Sequence, residues 1–253
     1  MKDIPSSYGL YIDGKEQASA SGKSFAVLSA WSREKVASIA EANEIDVDSA
    51  IRAARKAYPA WAEAAPVVRE TVLLKAADLM TANSERLVKV LIQESGSTAQ
   101  KACFEVNNVA ARLRTAAGEA SRLYGDTFPN DKPHRMSIVI REPIGVVVTI
   151  SPFNASLTLL AKMSIYALAA GNTVVAKPSE ITPMTAYLLS EICIEVGLPA
   201  GVLNIVHGLG GSTGAAIVEH PDVPAISFTG GTATGKRISE VAAPMFKKMS
   251  LEL

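Results

Sequence analysis

The sequence predicts a doubly wound α/β fold: a mainly parallel five-stranded sheet, an N-terminal helical layer and one protruding strand. Three observations predict it. Short apolar runs recur through the second half of the chain, at Gly145–Ile150, Thr173–Lys177, Leu203–Val206, Ala225–Phe228 and Met249–Leu253. Runs of this kind are how strands covered on both faces read. Helical patterns lie between them, near 156–170, 183–196, 212–219 and 233–242, as crossover units require. Glycine-rich turns follow the third and fourth runs, at the strand ends where such sheets bind ligands. Together these make the sheet Rossmann-like.

The first regime, residues 1–135, opens with short strands. Leu10–Ile12 and the Asp13-Gly14 turn read as a hairpin, with further strands at Phe25–Leu28 and Val36–Ala40. A helix capped by Asp46 or Asp48 runs to Tyr58, where Pro59 intervenes. Apolar residues at helical spacing mark Pro66–Ala82. Ser84 caps the next helix, which Gly96 ends; Thr98–Tyr124 follows and Gly125 stops it. Met136–Arg141 alternates and precedes Pro143, so residues 136–144 read as a separate arm strand. Residues 145–253 form the core sheet. Within it, Thr182 reads as a cap, Pro183 as the first helical residue and Gly197 as the stop.

Composition bounds the function. With 253 residues, 48% apolar and 20% charged, the chain is globular. Lys plus Arg (25) balance Asp plus Glu (25), leaving no basic footprint for nucleic acid. Two cysteines, Cys103 and Cys193, and three histidines offer no disulfide framework and no metal spacing. Both cysteines fall in helical patterns and are expected to be buried. No leader-like apolar run opens the chain, and no apolar stretch has membrane-span length, so the cytoplasm is the expected compartment.

The polar residues at the strand ends are Ser151-Pro152-Phe153-Asn154, Lys177-Pro178-Ser179-Glu180, the run from His207 to Gly214, and Thr229-Gly230-Gly231. Gly208-x-Gly210-x-x-x-Gly214 approaches a dinucleotide fingerprint, but an ordinary tight turn reads the same. Gly230-x-x-x-x-Gly235-Lys236 approaches a phosphate loop, but Arg237 stands where Mg²⁺ needs a hydroxyl. A glycine-rich turn opening a helix exposes N–H groups to a phosphate. Lys177 and Glu180 either clasp a ribose or belong to a solvated loop. Asn154 either donates to an oxyanion or satisfies turn backbone. Glu252 is either an outward edge carboxylate or a partly buried base.

Taken together, Ile150-Ser-Pro-Phe-Asn154, Ala169 to Glu180 with Thr182-Pro183, Phe228-Thr-Gly230 and Leu251-Glu-Leu253 resemble the aldehyde dehydrogenase superfamily. Tyr11-Ile-Asp-Gly14 and Arg141-Glu-Pro-Ile-Gly145 resemble it as well, so the likeness covers nearly the whole chain. The resemblance implies NAD-dependent oxidation of an aldehyde to a carboxylic acid, with NAD ahead of NADP. It implies that Asn154 stabilises the oxyanion and Glu252 activates water. Lys177 and Glu180 would hold the adenosine ribose, Gly210 and Gly214 the adenine side, and Gly230 and Gly231 the pyrophosphate. Ile150, Ser151, Pro152, Phe153, Ser179, Phe228, Thr229, Thr234 and Leu253 complete the implied cofactor set, with no metal. A homo-oligomer, dimer or tetramer, joined through the arm is implied for the complete protein.

Two departures qualify the match. Gly231 stands where the family commonly has Ser. The family's nucleophilic cysteine lies beyond the position of Glu252, and neither Cys103 nor Cys193 has its context. The expectation is therefore a cofactor-binding half that is inactive alone. The alternative is a scaffold or partner subunit that no longer binds cofactor.

Overall fold

The computed structural model describes residues 4–253. The first strands are β1 (Ser7–Tyr8), β2 (Leu10–Ile12), β3 (Lys15–Gln17), β4 (Ser24–Leu28) and β5 (Lys35–Ala40). Four helices follow: α1 (Glu44–Glu63), α2 (Pro66–Ala82), α3 (Ser84–Ser95) and α4 (Ala99–Glu119). The arm holds β6 (Asp126–Phe128) and β7 (Ser137–Val139). Then come β8 (Val146–Ile150), α5 (Ser156–Ala169), β9 (Thr173–Lys177), α6 (Met184–Glu195) and β10 (Leu203–Ile205). A wide π-type turn at Gly210–Gly214 leads into α7 (Ala215–Glu219), β11 (Ala225–Thr229), α8 (Thr232–Ala242) and β12 (Lys248–Glu252).

The main sheet has seven strands in the order β12-β11-β8-β9-β10-β2-β3. The five predicted strands run parallel, and the β2–β3 hairpin extends them antiparallel through Tyr11 opposite Ile205. The chain builds outward from β8 to β10, then returns to the other side of β8 for β11 and β12. That reversal makes the C-terminal ends of β8 and β11 the switch point of the sheet, where a crevice opens.

Alternate residues of the central strands serve two cores. Val174 and Ala176 face the layer of α2 to α6, while Val175 faces α1, α7 and α8. Burial on both faces is why these strands read as continuous apolar runs.

Local signals were overridden in several places. Asn43, not Asp46 or Asp48, caps α1; Asp46 is its reciprocal partner in a capping box, and its carboxylate also holds Ser19 and Ala20. The helix continues through Pro59 to Glu63. Its last turn is anchored from outside: Trp61 Nε1 donates to Leu168 O at 3.0 Å and Arg69 Nε to Ala169 O at 3.0 Å. The Arg69 guanidinium also takes the carbonyls of Trp61, Ala62 and Ala64. These contacts offset the hydrogen bond that proline removes. Asn83, whose side chain serves the end of α2, precedes α3 in place of a Ser84 cap. Helix α4 stops at Glu119, and Gly125 serves the arm instead: a Cβ there would come 2.2 Å from Val139 O. Cys103 is exposed on α4, against expectation, while Cys193 is buried.

Helices α5 and α6 lack side-chain caps of their own. The Thr182 hydroxyl has no partner among the described residues, and Pro183 sits at the cap position of α6. Glu94, buried at the end of α3, takes over: Met184 N donates to it at 2.7 Å, Thr185 N at 3.1 Å and the Thr185 hydroxyl at 2.7 Å. Glu105 of α4 likewise accepts from Thr158 N in the first turn of α5 at 3.3 Å.

Burial pushes the Glu94 carboxyl up to about 7 against its hydrogen bonds, which pull it down. Glu94 thus holds its proton more tightly folded than unfolded, where it titrates near 4.5. Its contribution is full below about 4.5 and is lost as pH rises through about 7. Urea titrations between these limits should show stability falling with pH in the parent and a flatter profile in Glu94→Gln. Glu94→Ala should lose about 1–3 kcal/mol at the acid end. Parallel pH profiles for parent and Gln variant would refute the assignment.

Candidate functional site

At the switch point a cleft of about 490 Å³ opens between the Gly210–Gly214 turn with α7 on one side and α8 on the other. Its floor is Ile150 and Lys177, the last residues of β8 and β9. Gly210, Gly211, Gly214, Val218 and Glu219 form one wall; Thr234, Arg237, Ile238 and Val241 form the other. A hollow at Asn83, Arg86 and Glu191 offers about 10 Å³, room for a water at most. A polar groove of about 410 Å³ lies beside β1 and β3, away from the switch point.

Lys177 is 2% exposed, yet its Nζ reaches Glu180 Oε2 at 3.4 Å and donates to Pro178 O at 3.1 Å. Burial pushes the ammonium down, and Glu180 opposes that shift. The solvated-loop alternative therefore fails for Lys177 and holds only for the half-exposed Glu180. Behind Lys177 lies His207, buried, with neither ring nitrogen partnered among the described residues. Burial, and after it the Lys177 charge, push the ring down to about 3, so it is neutral. The Lys177 stem runs past Gly214, where a Cβ would stand 3.6 Å from its Cε.

The turn is fixed at its base. Thr213 donates to Ala42 O at 2.7 Å, and Ala42 N donates to His207 O at 2.8 Å. On the far side Lys247, also buried, donates to Val218 O at 2.7 Å and His220 O at 2.5 Å, closing the end of α7. Helix α8 opens at Gly231 without a side-chain cap, so its first N–H groups have no such partner. Gly230 approaches the Phe228 ring so closely that a Cβ would come 2.5 Å from it. Leu253 lies over Gly235 in the same way, at 2.2 Å.

Of the residues expected to hold a cofactor, Ile150, Lys177, Gly210, Gly214 and Thr234 line this one cleft. Glu180 joins it through Lys177, and Gly230 and Gly231 lead into α8 beside it. Ser151 is buried at the end of β8 with an unpartnered hydroxyl, and its N–H donates to Lys177 O at 3.1 Å. Ser179 is buried and accepts from Ile181 N at 3.2 Å. Phe228 is buried, Pro152 half-buried, and Thr229 contacts Met163 Sδ at 3.7 Å. Phe153, Asn154 and Leu253 are exposed. Glu252 is 61% exposed and pairs with Lys162 at 3.3 Å, which is the outward-facing alternative, not the partly buried one. Arg237, Val218 and Val241 were missed as lining residues. The sequence reading gives a helix near 233–242, and positions 234, 237, 238 and 241 share one face of it. Nothing local said that the face lines a cleft.

A cofactor of dinucleotide size and charge fits these features: an orphan hydroxyl, an uncapped helix start, backbone approach at glycine and a lysine–glutamate pair. Among the described residues no group of three or more His, Cys, Asp or Glu gathers to hold a metal ion. No helix among them is long and apolar enough to cross a membrane.

The profile of the aldehyde dehydrogenase family matches residues 17–253. The chain belongs to that family. It is 43% identical over 209 residues to 2-aminomuconic semialdehyde dehydrogenase of Danio rerio, covering 82% of this chain and 43% of the relative. It is 37% identical to the mitochondrial succinate-semialdehyde dehydrogenase of Arabidopsis thaliana, covering 96% and 46%. Among solved structures, an aldehyde dehydrogenase of Burkholderia cenocepacia, described as putative, superposes with a TM-score of 0.95 at 40% identity, over 97% of this chain and 50% of that one. An NAD⁺ complex of the Bacillus cereus enzyme superposes at 0.95 with 34% identity, over 98% and 51%. The chain spans about half the length of the curated relatives it matches. The family uses NAD or NADP.

Gly208 tests how the turn holds the cleft. A Cβ there would come 1.9 Å from Thr213 Oγ1, the atom that bonds Ala42. Gly208→Ala should cost about 1–3 kcal/mol in thermal denaturation. Amide exchange should quicken first in the 209–215 turn. Unchanged exchange there would show that the turn is held otherwise.

Proposed function

We propose that this chain is the cofactor-binding half of an NAD-dependent aldehyde dehydrogenase. The observation that carries it is the meeting of the Lys177–Glu180 pair, the glycine turn and the uncapped start of α8 around one switch-point cleft. On this reading Lys177 and Glu180 bond the adenosine ribose hydroxyls. The Gly230 N–H donates to Glu252 O at 3.0 Å, so Gly230 allows close approach while the N–H groups of Gly231 and the first turn of α8 take the pyrophosphate, which the missing hydroxyl at Gly231 leaves to the backbone alone. Gly210 and Gly214 let the adenine side approach, and Ser151 offers its free hydroxyl nearby. The chemistry supplied by a bound nicotinamide is acceptance of a hydride from the aldehyde carbon.

Asn154 donates its amide N–H to the oxygen that becomes an oxyanion during attack. Glu252 accepts a proton from the water that releases the acid. Neither cysteine here supplies the attacking thiolate. The Cys193 thiol is buried and pushed up to about 12. Cys103 sits on the exposed side of α4. The complete enzyme is read as a homo-oligomer, for which the apolar, exposed Met136, Ile138 and Ile140 of the arm offer a contact. Two free thiols fit a reducing compartment such as the cytoplasm.

Calorimetric titration should give NAD binding and weaker NADP binding, because the Glu180 carboxylate repels a 2′-phosphate. Glu180→Ala should narrow that preference by roughly tenfold, about 1.4 kcal/mol. Neither heat nor a thermal shift at millimolar NAD would instead favour the scaffold alternative. Equal affinity for both cofactors, unchanged in Glu180→Ala, would overturn the ribose assignment alone.

Mixed with NAD and a panel of aldehydes, the chain should produce no sustained NADH absorbance. Turnover abolished by Cys103→Ala or Cys193→Ala would place the nucleophile within this chain.

A further inference from the structure

The α8 wall of the cleft carries a cation that none of the roles above uses. Thr234, Arg237, Ile238 and Val241 recur at helical spacing and line the cleft together. The Arg237 side chain is exposed and has neither an ion pair nor a hydrogen bond among the described residues. It stands five positions beyond Thr232, so roughly 7–8 Å along the axis from the helix start that would face a pyrophosphate. Across from it stand Val218 and Glu219 of α7.

This setting selects among ligand groups. A second phosphate beside Arg237 would lie against Val218, Ile238 and Val241 and near the Glu219 carboxylate, losing hydration to apolar walls and meeting a like charge. A flat aromatic ring suits the same place. Its edges and faces bury against the valines, and a guanidinium stacks on its π-face while one side stays in water.

We propose that Arg237 is a specificity-determining residue that lies against the purine face of the adenosine half of the dinucleotide. The proposal rests on the dinucleotide reading above. Arg237 thereby favours ligands carrying a base at that end over ligands carrying only the nicotinamide half.

The test is titration of the chain, and of Arg237→Ala and Arg237→Met, with NAD, ADP, NADP and nicotinamide mononucleotide. Arg237→Ala should weaken NAD and ADP equally, by roughly two- to fivefold, and leave the mononucleotide unchanged. Arg237→Met keeps the apolar stem without the charge and should recover little of the loss.

Three results would overturn the proposal while leaving the dinucleotide reading intact. They are unchanged NAD and ADP affinity in Arg237→Ala, full recovery in Arg237→Met, and a loss confined to NADP, which would assign the guanidinium to a 2′-phosphate. Failure of the parent chain to bind NAD or ADP would defeat the dinucleotide reading itself, and this proposal with it. Far-ultraviolet spectra of both variants, matched to the parent, separate a lost contact from a lost fold.

Discussion

Two buried carboxylates join α3 and α4 to the helices that cross over between the strands, and the placement of the cleft's loops depends on them. Glu105 accepts from the first turn of α5 and Glu94 from the first turn of α6, helices that bring no caps of their own. A helix start left uncapped under a protein layer would bury N–H groups without partners, at about 1–3 kcal/mol each. The loops Ser151–Ala155 and Pro178–Pro183 lie between the ends of β8 and β9 and those helix starts. Fixing the helices therefore fixes the loops that carry Asn154, Ser179 and Glu180. The helical layer acts as the mould for one side of the site, although it contributes nothing to the cleft lining.

The opposite face of the sheet solves the same problem with cations and hydroxyls. Lys247 closes the end of α7, Thr213 ties the glycine turn to Ala42, and α1 packs beneath both. Lys247 has its own charge pushed down by burial, and carbonyl oxygens at a helix end are the partners best suited to it. The walls of the cleft are thus held from behind by buried polar groups with defined partners. Its inner surface is mostly apolar, with Lys177, Glu219 and Arg237 as its charged side chains.

The sequence pattern conveyed the parts whose physics is local. The four inner parallel strands, β8 to β11, were legible because burial on both faces demands apolar runs, and the glycine turns because backbone approach demands glycine; β12 is an exposed edge strand, read from its alternation. Longer-range terms stayed hidden. Pro59 breaks an isolated helix, but Trp61 and Arg69 hold the following turn from outside. Thr182 has the form of a cap, yet Glu94, far away in sequence, does the capping. Lys177 looks like a loop residue until β8 and β10 close around it. Cys103 shares its helical pattern with buried neighbours and still faces water, since one step in position turns the side chain by about 100° around the axis. Lining by Arg237 required knowing which helix stands opposite α8.

The start of α8 shows how a local defect and a candidate function coincide. A Ser or Thr ahead of Thr232 would cap the helix and add about 1 kcal/mol of stability. Gly231 forgoes that cap, and Gly230 is confined to glycine by the Phe228 ring beneath it. The Gly230 N–H donates to Glu252 O, while the N–H groups that open α8 have no side-chain partner at the positive end of the helix dipole, beside a cleft whose floor carries the Lys177 cation. An anion entering there meets fixed donors and needs no side chain to reorganise. The same bareness costs stability whenever the cleft is empty, so a ligand that fills it should stabilise the α8 side of the sheet more than the β2–β3 side.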